Sequence, residues 1–120
     1  MTTILTVDDT ASMRQMISFT LGSVGYDVIQ ACDGAEALAL ARDRKVDLVI
    51  ADVNMPNMDG ISLCQSLRTL DDYRFTPILM LTTESQEDMR SKGKRAGATG
   101  WIVKPFNPEQ LVHVVKKVLG

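Results

Sequence analysis

Five short apolar runs of β-forming character alternate along this chain with five stretches of helical periodicity, and that alternation restricts the fold more than any other feature. The runs are ILTV at 4–7, DVIQA at 27–31, LVIA at 48–51, TPILMLT at 76–82 and GWIV at 100–103. Helices are predicted over Thr10 to about Val24, 34–44, about Ile61 to Leu70, about Gln86 to Arg95, and Pro108 to Leu119. The first carries Met13, Met16, Ile17, Thr20 and Leu21 on one stripe, with Gly22 and Gly25 at its end. Asp33 is suited to cap the second, Gly97 ends the fourth, and NMPNMDG at 54–60 is rich in turn residues. Parallel strands need crossovers, and a sheet covered on both sides buries both faces of its strands. The fold class predicted is therefore α/β: one doubly wound (βα)5 parallel sheet with helices on both faces. A chain of 120 residues suffices for one such domain and one core without disulfides or structural metal.

Three of the runs end in acid, acid and base. ILTVDD closes on Asp8 and Asp9, VDLVIAD on Asp52, and GWIVKP on Lys104. In an open parallel sheet the carboxyl ends of the strands share one edge, and ligands bind in the crevice outside it. Carboxylates crowded there repel one another unless a cation sits among them, and a hard ion such as Mg²⁺ takes oxygen ligands of this kind. The cluster predicts a metal.

Composition removes several classes of function. Apolar residues at 45% and charged ones at 23% suit a globular protein and argue against disorder. A net charge of −2 gives no reason to expect nucleic acid, whose phosphates demand a basic face, and no DNA-reading module is expected beside the domain within 120 residues. Cys32 and Cys64 match no zinc spacing and read as small buried or half-buried hydrophobes in a reducing compartment. MTTILTVDD has no basic region and reaches Asp8 too soon for a signal peptide, and no apolar stretch is long enough to span a bilayer. A cytoplasmic location is expected.

The residues DD at 8 and 9, the Asp52 of IADVNMPNMDG, the Thr82 of LMLTTES and the Lys104 of VKPF together resemble the receiver domain of two-component response regulators, above all its single-domain chemotaxis members. The resemblance covers nearly the whole chain, and four weak motifs in the right order make a specific set. It implies a flavodoxin-like strand order 2-1-3-4-5, with no output domain, whose switch point lies between the strands ending in Asp8 and Asp52. It implies Asp52 as phosphoacceptor, with Asp9, Asp52, the backbone carbonyl of Asn54 and, through water, Asp8 as ligands of Mg²⁺. Lys104 and Thr82 would meet phosphoryl oxygens, and a cis bond before Pro105 would aim the lysine. Asn54 and Glu84 would tune dephosphorylation, and Trp101 would couple the site to a partner face. That face would include the helices carrying Lys92, Lys94, Arg95, Lys116 and Lys117. The implied partners are a phosphohistidine kinase as donor and a target such as the flagellar motor switch. The implied chain is a monomer that touches neither nucleic acid nor membrane. It is a signalling module, not an enzyme: it catalyses its own phosphorylation and autodephosphorylation and turns over no external metabolite.

Plainer readings exist for each residue alone. Asp8 or Asp9 could cap the helix that follows, Thr82 could be a buried strand-end threonine, and Lys104 an ordinary surface lysine. Trp101 could simply pack, while Phe106 would anchor its loop in the core. Met13, Met16, Met55, Met58, Met80 and Met89 read as filling, and His113 as solvated or capping. Two other functions fit less well. A Mg²⁺-dependent phosphohydrolase using Asp52 would need a general acid at position 54, which is Asn. A flavodoxin-like cofactor carrier would need a donor-rich phosphate loop where Asp8 and Asp9 stand. A phosphate sink or a relay outside motility remains within the receiver reading.

Overall fold

The computed structural model describes residues 2–53, 55, 58–83 and 87–120, with the main chain alone within 87–90. Its five strands are β1 (Thr3–Val7), β2 (Asp27–Ala31), β3 (Leu48–Asp52), β4 (Ile78–Thr82) and β5 (Gly100–Val103). They pair in parallel in the order β2-β1-β3-β4-β5, as the resemblance implied. Every residue of the three central strands is buried, which is why their sequences are mostly apolar without alternation, Thr3, Thr6, Asp52 and Thr82 being the polar exceptions.

Helices α1 (Ala11–Ser23), α2 (Gly34–Asp43), α3 (Gly60–Arg68), α4 (Glu87–Ala96) and α5 (Pro108–Leu119) cover the two faces. Alternate strand residues divide the core accordingly. Leu5, Val7, Val49, Ala51 and Met80 pack with Ala37 and Ala41 of α2, Leu63 and Leu67 of α3, and Ala96 of α4. Ile4, Ile50, Leu79, Leu81 and Ile102 pack with Ile17 and Leu21 of α1 and Leu111 and Val115 of α5. No helix among the described residues is long and apolar enough to cross a membrane.

The helix ends follow their caps. Asp33 caps α2 by accepting the Glu36 amide at 2.8 Å, while Glu36 reaches back to accept the Cys32 amide at 2.8 Å, so the two side chains tie the chain on both sides of the helix start. Asn107 and Gln110 form a full capping box at α5, each side chain accepting the other's amide, with Pro108 at the first turn. Gly25 and Gly97 take positive φ of 102° where α1 and α4 turn into the next element.

Four expectations are corrected. The first helix begins at Ala11 and not Thr10, whose backbone is extended at ψ 116° and makes it the N-cap, its amide held by the Asp8 carboxylate at 2.8 Å. The third ends at Arg68, and a 3-10 turn at Asp71–Tyr73 follows. The fourth strand opens at Ile78 after Pro77, which has no amide to give to a ladder. Cys32 is exposed beyond the end of β2. Cys64 is buried as expected: burial pushes its thiol pKa up, and its Sγ donates to the Ala96 carbonyl at 3.3 Å.

The 3-10 turn serves the amino edge of the sheet. It sends the Tyr73 ring inward to 2% exposure, where the hydroxyl donates to Ala41 O at 2.6 Å and accepts the Val46 amide at 3.1 Å. Arg68 completes the lock by donating to the carbonyls of Tyr73, Thr76 and Gly97. Burial holds the Tyr73 pKa above its usual value, with the Val46 amide working against it. Since the unfolded phenol ionises first, Tyr73 contributes stability below about pH 10 that is lost as pH rises through the folded value. Tyr73→Phe is expected to cost roughly 1–3 kcal/mol in urea unfolding at neutral pH, with an unchanged m-value, and to flatten the alkaline loss of stability.

Candidate active site

Register brings the charged strand ends together. Val7 pairs with Ala51, Asp52 with Leu81 and Thr82 with Val103, so the chain leaves β1, β3, β4 and β5 at one level. Asp8, Asp52 and Lys104 continue the strand phase of Ile4, Ile50 and Ile102, whereas Thr82 continues that of Met80. Three charged groups are thus brought to one phase and the hydroxyl to the other.

Asp8, Asp9 and Asp52 each offer a carboxylate oxygen within 4.8 Å of the others. The Lys104 Nζ lies 3.3 Å from Asp8 Oδ2 and 3.4 Å from Asp52 Oδ1. Asp8 is fully buried, Asp52 is 7% exposed and Asp9 is exposed. A wholly buried carboxylate is tolerable only with partners, and Asp8 has them. Its Oδ1 accepts the Thr10 amide, its Oδ2 pairs with Lys104, and its own carbonyl accepts Arg14 Nη1 at 2.6 Å. Asp8 does not cap α1, whose N-cap is Thr10: one of its oxygens accepts the amide of that residue while the other meets Lys104. Three carboxylates against one ammonium leave an excess of negative charge on hard oxygen donors, which fits Mg²⁺.

The flanking segments hold this geometry. The Lys104–Pro105 bond is cis, and the Lys104 amide donates to Thr82 O at 2.8 Å. Gly60 opens α3 against β3, where a Cβ would run into the Asp52 carbonyl, and its amide donates to Val53 O at 3.1 Å. Thr82 is 1% exposed at the end of β4. Asn54 and Glu84 lie outside the described residues, as does the side chain of Met89.

Away from the crevice, Trp101 is half-buried against the core under α2, α3 and α4. Its indole lies on Gly93 of α4, where a Cβ would come 2.5 Å from Cζ2. Trp101, Phe106 and the exposed His113 line a groove of about 310 Å³ between β5 and α5. Lys92, Lys94, Arg95, Lys116 and Lys117 are exposed. Sequence reasoning missed Arg14 and Gly93. An arginine in the first turn of a helix and a glycine inside one were the available signals, since each is locally unfavourable there.

Residues 4–116 match the response regulator receiver domain family. The chain belongs to that family. This receiver is 51% identical to the chemotaxis protein CheY4 of Vibrio cholerae, with a TM-score of 0.96 and 98% of each chain covered. It is 43% identical over 116 residues to a probable transcriptional regulator, ycf27, of Porphyridium aerugineum, covering 97% of this chain and 47% of that protein. The receiver spans about half the length of the first curated relatives it matches. The receiver domain of the sensor histidine kinase PA1611 of Pseudomonas aeruginosa carries a magnesium ion in its active-site cleft. That structure is 28% identical, with a TM-score of 0.92, covering 99% of this chain and 98% of that one.

Two outcomes are expected from this geometry. Lys104 occupies oxygens of Asp8 and Asp52 that a divalent ion at this cluster would need, so Lys104→Met should tighten Mg²⁺ binding by about tenfold or more in calorimetry, a gain that needs only about 1.4 kcal/mol. Without metal, the same variant should unfold more easily. Gly93→Ala should displace the indole, and a red shift of the emission of Trp101, the sole tryptophan, would report it.

Proposed function

We propose that residues 1–120 form a phosphorylation-controlled receiver that accepts a phosphoryl group on Asp52 from a phosphohistidine of a sensor kinase. The observation that carries this reading is Asp52 at the carboxyl end of the central strand β3, beside two more carboxylates and paired with Lys104. Receiver domains take phosphoryl groups from histidine kinases and bind Mg²⁺ at an acidic site, and the match over 4–116 supports both here.

In this reading an Asp52 oxygen forms the new P–O bond while the P–N bond of the phosphohistidine breaks, the imidazole leaving with the bonding pair. Asp9, Asp52 and the Asn54 carbonyl, with Asp8 through water, would hold Mg²⁺. When bound, the ion neutralises charge on the oxygens of the transferring group. Lys104, held between Asp8 and Asp52 at rest, turns to a phosphoryl oxygen, and Thr82 offers its hydroxyl to another. The new group adds about two negative charges to the crevice, enough to bias a two-state surface. Trp101 and the α4–β5–α5 face form that surface, and Asn54 and Glu84 tune the lifetime of the phosphate.

The output proposed is docking on a chemotaxis target such as the flagellar motor switch, supported by the 51% identity with CheY4 over 98% of both chains. A second reading, the receiver of a transcriptional regulator, is favoured by the curated relatives at 40–43% identity. In either case these residues act as a monomeric cytoplasmic signalling module and not as a metabolic enzyme. An exposed, unpaired Cys32 suits a reducing compartment.

Intact mass after incubation with Mg²⁺ and acetyl phosphate tests the reading. A gain of one phosphoryl group, absent with EDTA and in Asp52→Asn, is expected. An equal gain in Asp52→Asn would remove the assignment. Binding to a flagellar motor-switch protein only after phosphorylation would favour the chemotaxis branch, and binding indifferent to phosphorylation would count against it.

A further inference from the structure

Arg14 sits in the first turn of α1, where the partial positive charge of the helix terminus disfavours a cation. No acidic residue in that turn offsets it. The side chain instead folds back past the helix start and donates from Nη1 to the carbonyl of Asp8 at 2.6 Å. It spans the three-residue passage from Asp8 to Thr10 on which the exposed Asp9 stands.

The parallel ladder explains why that carbonyl needs a donor. The last pair between β1 and β2 is Val7 with Ala31, and beyond it only the Asp8 amide still reaches β2, donating to Ala31 O at 3.1 Å. The Asp8 carbonyl has left the sheet and has not joined α1, whose first backbone bond runs from the Arg14 amide to Thr10 O at 3.1 Å. Arg14 supplies the missing donor. Asp8 is then held at four points: amide by β2, carbonyl by Arg14, Oδ1 by the Thr10 amide and Oδ2 by Lys104. Asp9 inherits its position from these bonds, because its own side chain is exposed while both its chain neighbours are tied.

From this arrangement we infer that Arg14 is a positioning residue for the acidic site, setting Mg²⁺ affinity by fixing the Asp8–Thr10 passage that presents Asp9. The inference rests on the proposed role of Asp9 as a metal ligand. It also has a physical rival. A guanidinium near three carboxylates repels a divalent cation, so if Arg14 acted through charge alone its removal would strengthen metal binding.

Mg²⁺ titration of the whole chain by calorimetry separates the two, using wild type, Arg14→Met, Arg14→Lys and Asp9→Asn. Arg14→Met, which keeps the apolar stem and loses the donor, is expected to weaken binding about tenfold, within the range for residues that orient metal ligands. Arg14→Lys, which keeps an N–H donor and the charge, should recover most of the affinity. Urea unfolding of the same proteins accounts for stability, since a purely structural role would lower stability and leave the affinity of the folded protein unchanged. Unchanged or tighter binding in Arg14→Met overturns the inference while leaving the receiver reading intact. Wild-type affinity in Asp9→Asn, or no Mg²⁺ binding by wild type, overturns both.

Discussion

Lys104 bridging Asp8 and Asp52 is the contact on which the carboxyl edge of the sheet depends. Like charges cannot be gathered in a half-dry crevice without compensation, and Asp8 is fully buried there. The ammonium reaches both carboxylates from a strand two positions away in the sheet from β3, which requires β5 to lie beyond β4 and the chain to turn at Pro105. The same contact leaves the three acids and one lysine two positive charges short of neutrality, the charge of one divalent cation. A structure content with a single lysine would hold its acids as inert ion pairs, whereas this one retains unbalanced oxygen donors that a hard metal can satisfy.

The opposite edge of the sheet is built on other principles. There three side chains meet neutral backbone groups: the Tyr73 hydroxyl sits between Ala41 and Val46, Arg68 reaches across three carbonyls, and the Asp47 carboxylate accepts the Thr3 amide. These bonds tie β1, α2, α3 and the end of α4 into one rigid base. The cluster of three acids and a lysine is thereby kept to one edge. A group that gains and loses two charges can work there without loosening the core, because the strands between the two edges are apolar on both faces.

Much of this was legible in the residues. The last helix was read at its observed bounds, Pro108–Leu119, since proline at a first turn and the apolar periodicity behind it are local signals that need no tertiary partner. The second strand, the Asp33 cap and the strand-end acids were legible for the same reason. Thr10 was misplaced because the turn closed by the Asp8 side chain leaves it extended as the N-cap, and the 3-10 turn at 71–73 was missed because nothing local marks it. That turn exists to bury Tyr73 against α2, a contact between residues about thirty positions apart. Cys32 escaped prediction because strand phase says nothing once the strand has ended.

The sequence by itself determined the alternation of strands and helices, the apolar character of the central strands and the presence of two acids, a third acid and a base at strand ends. These are properties of short segments, set by periodicity, side-chain branching and caps. Only the tertiary structure decided that Lys104 meets Asp8 and Asp52, that Arg14 holds the Asp8 carbonyl, and that Gly93 receives the indole of Trp101. Each of these joins groups whose distance is fixed by strand order, register and packing. Local sequence leaves those open, because a strand carries its phase with it but not the identity of its neighbour.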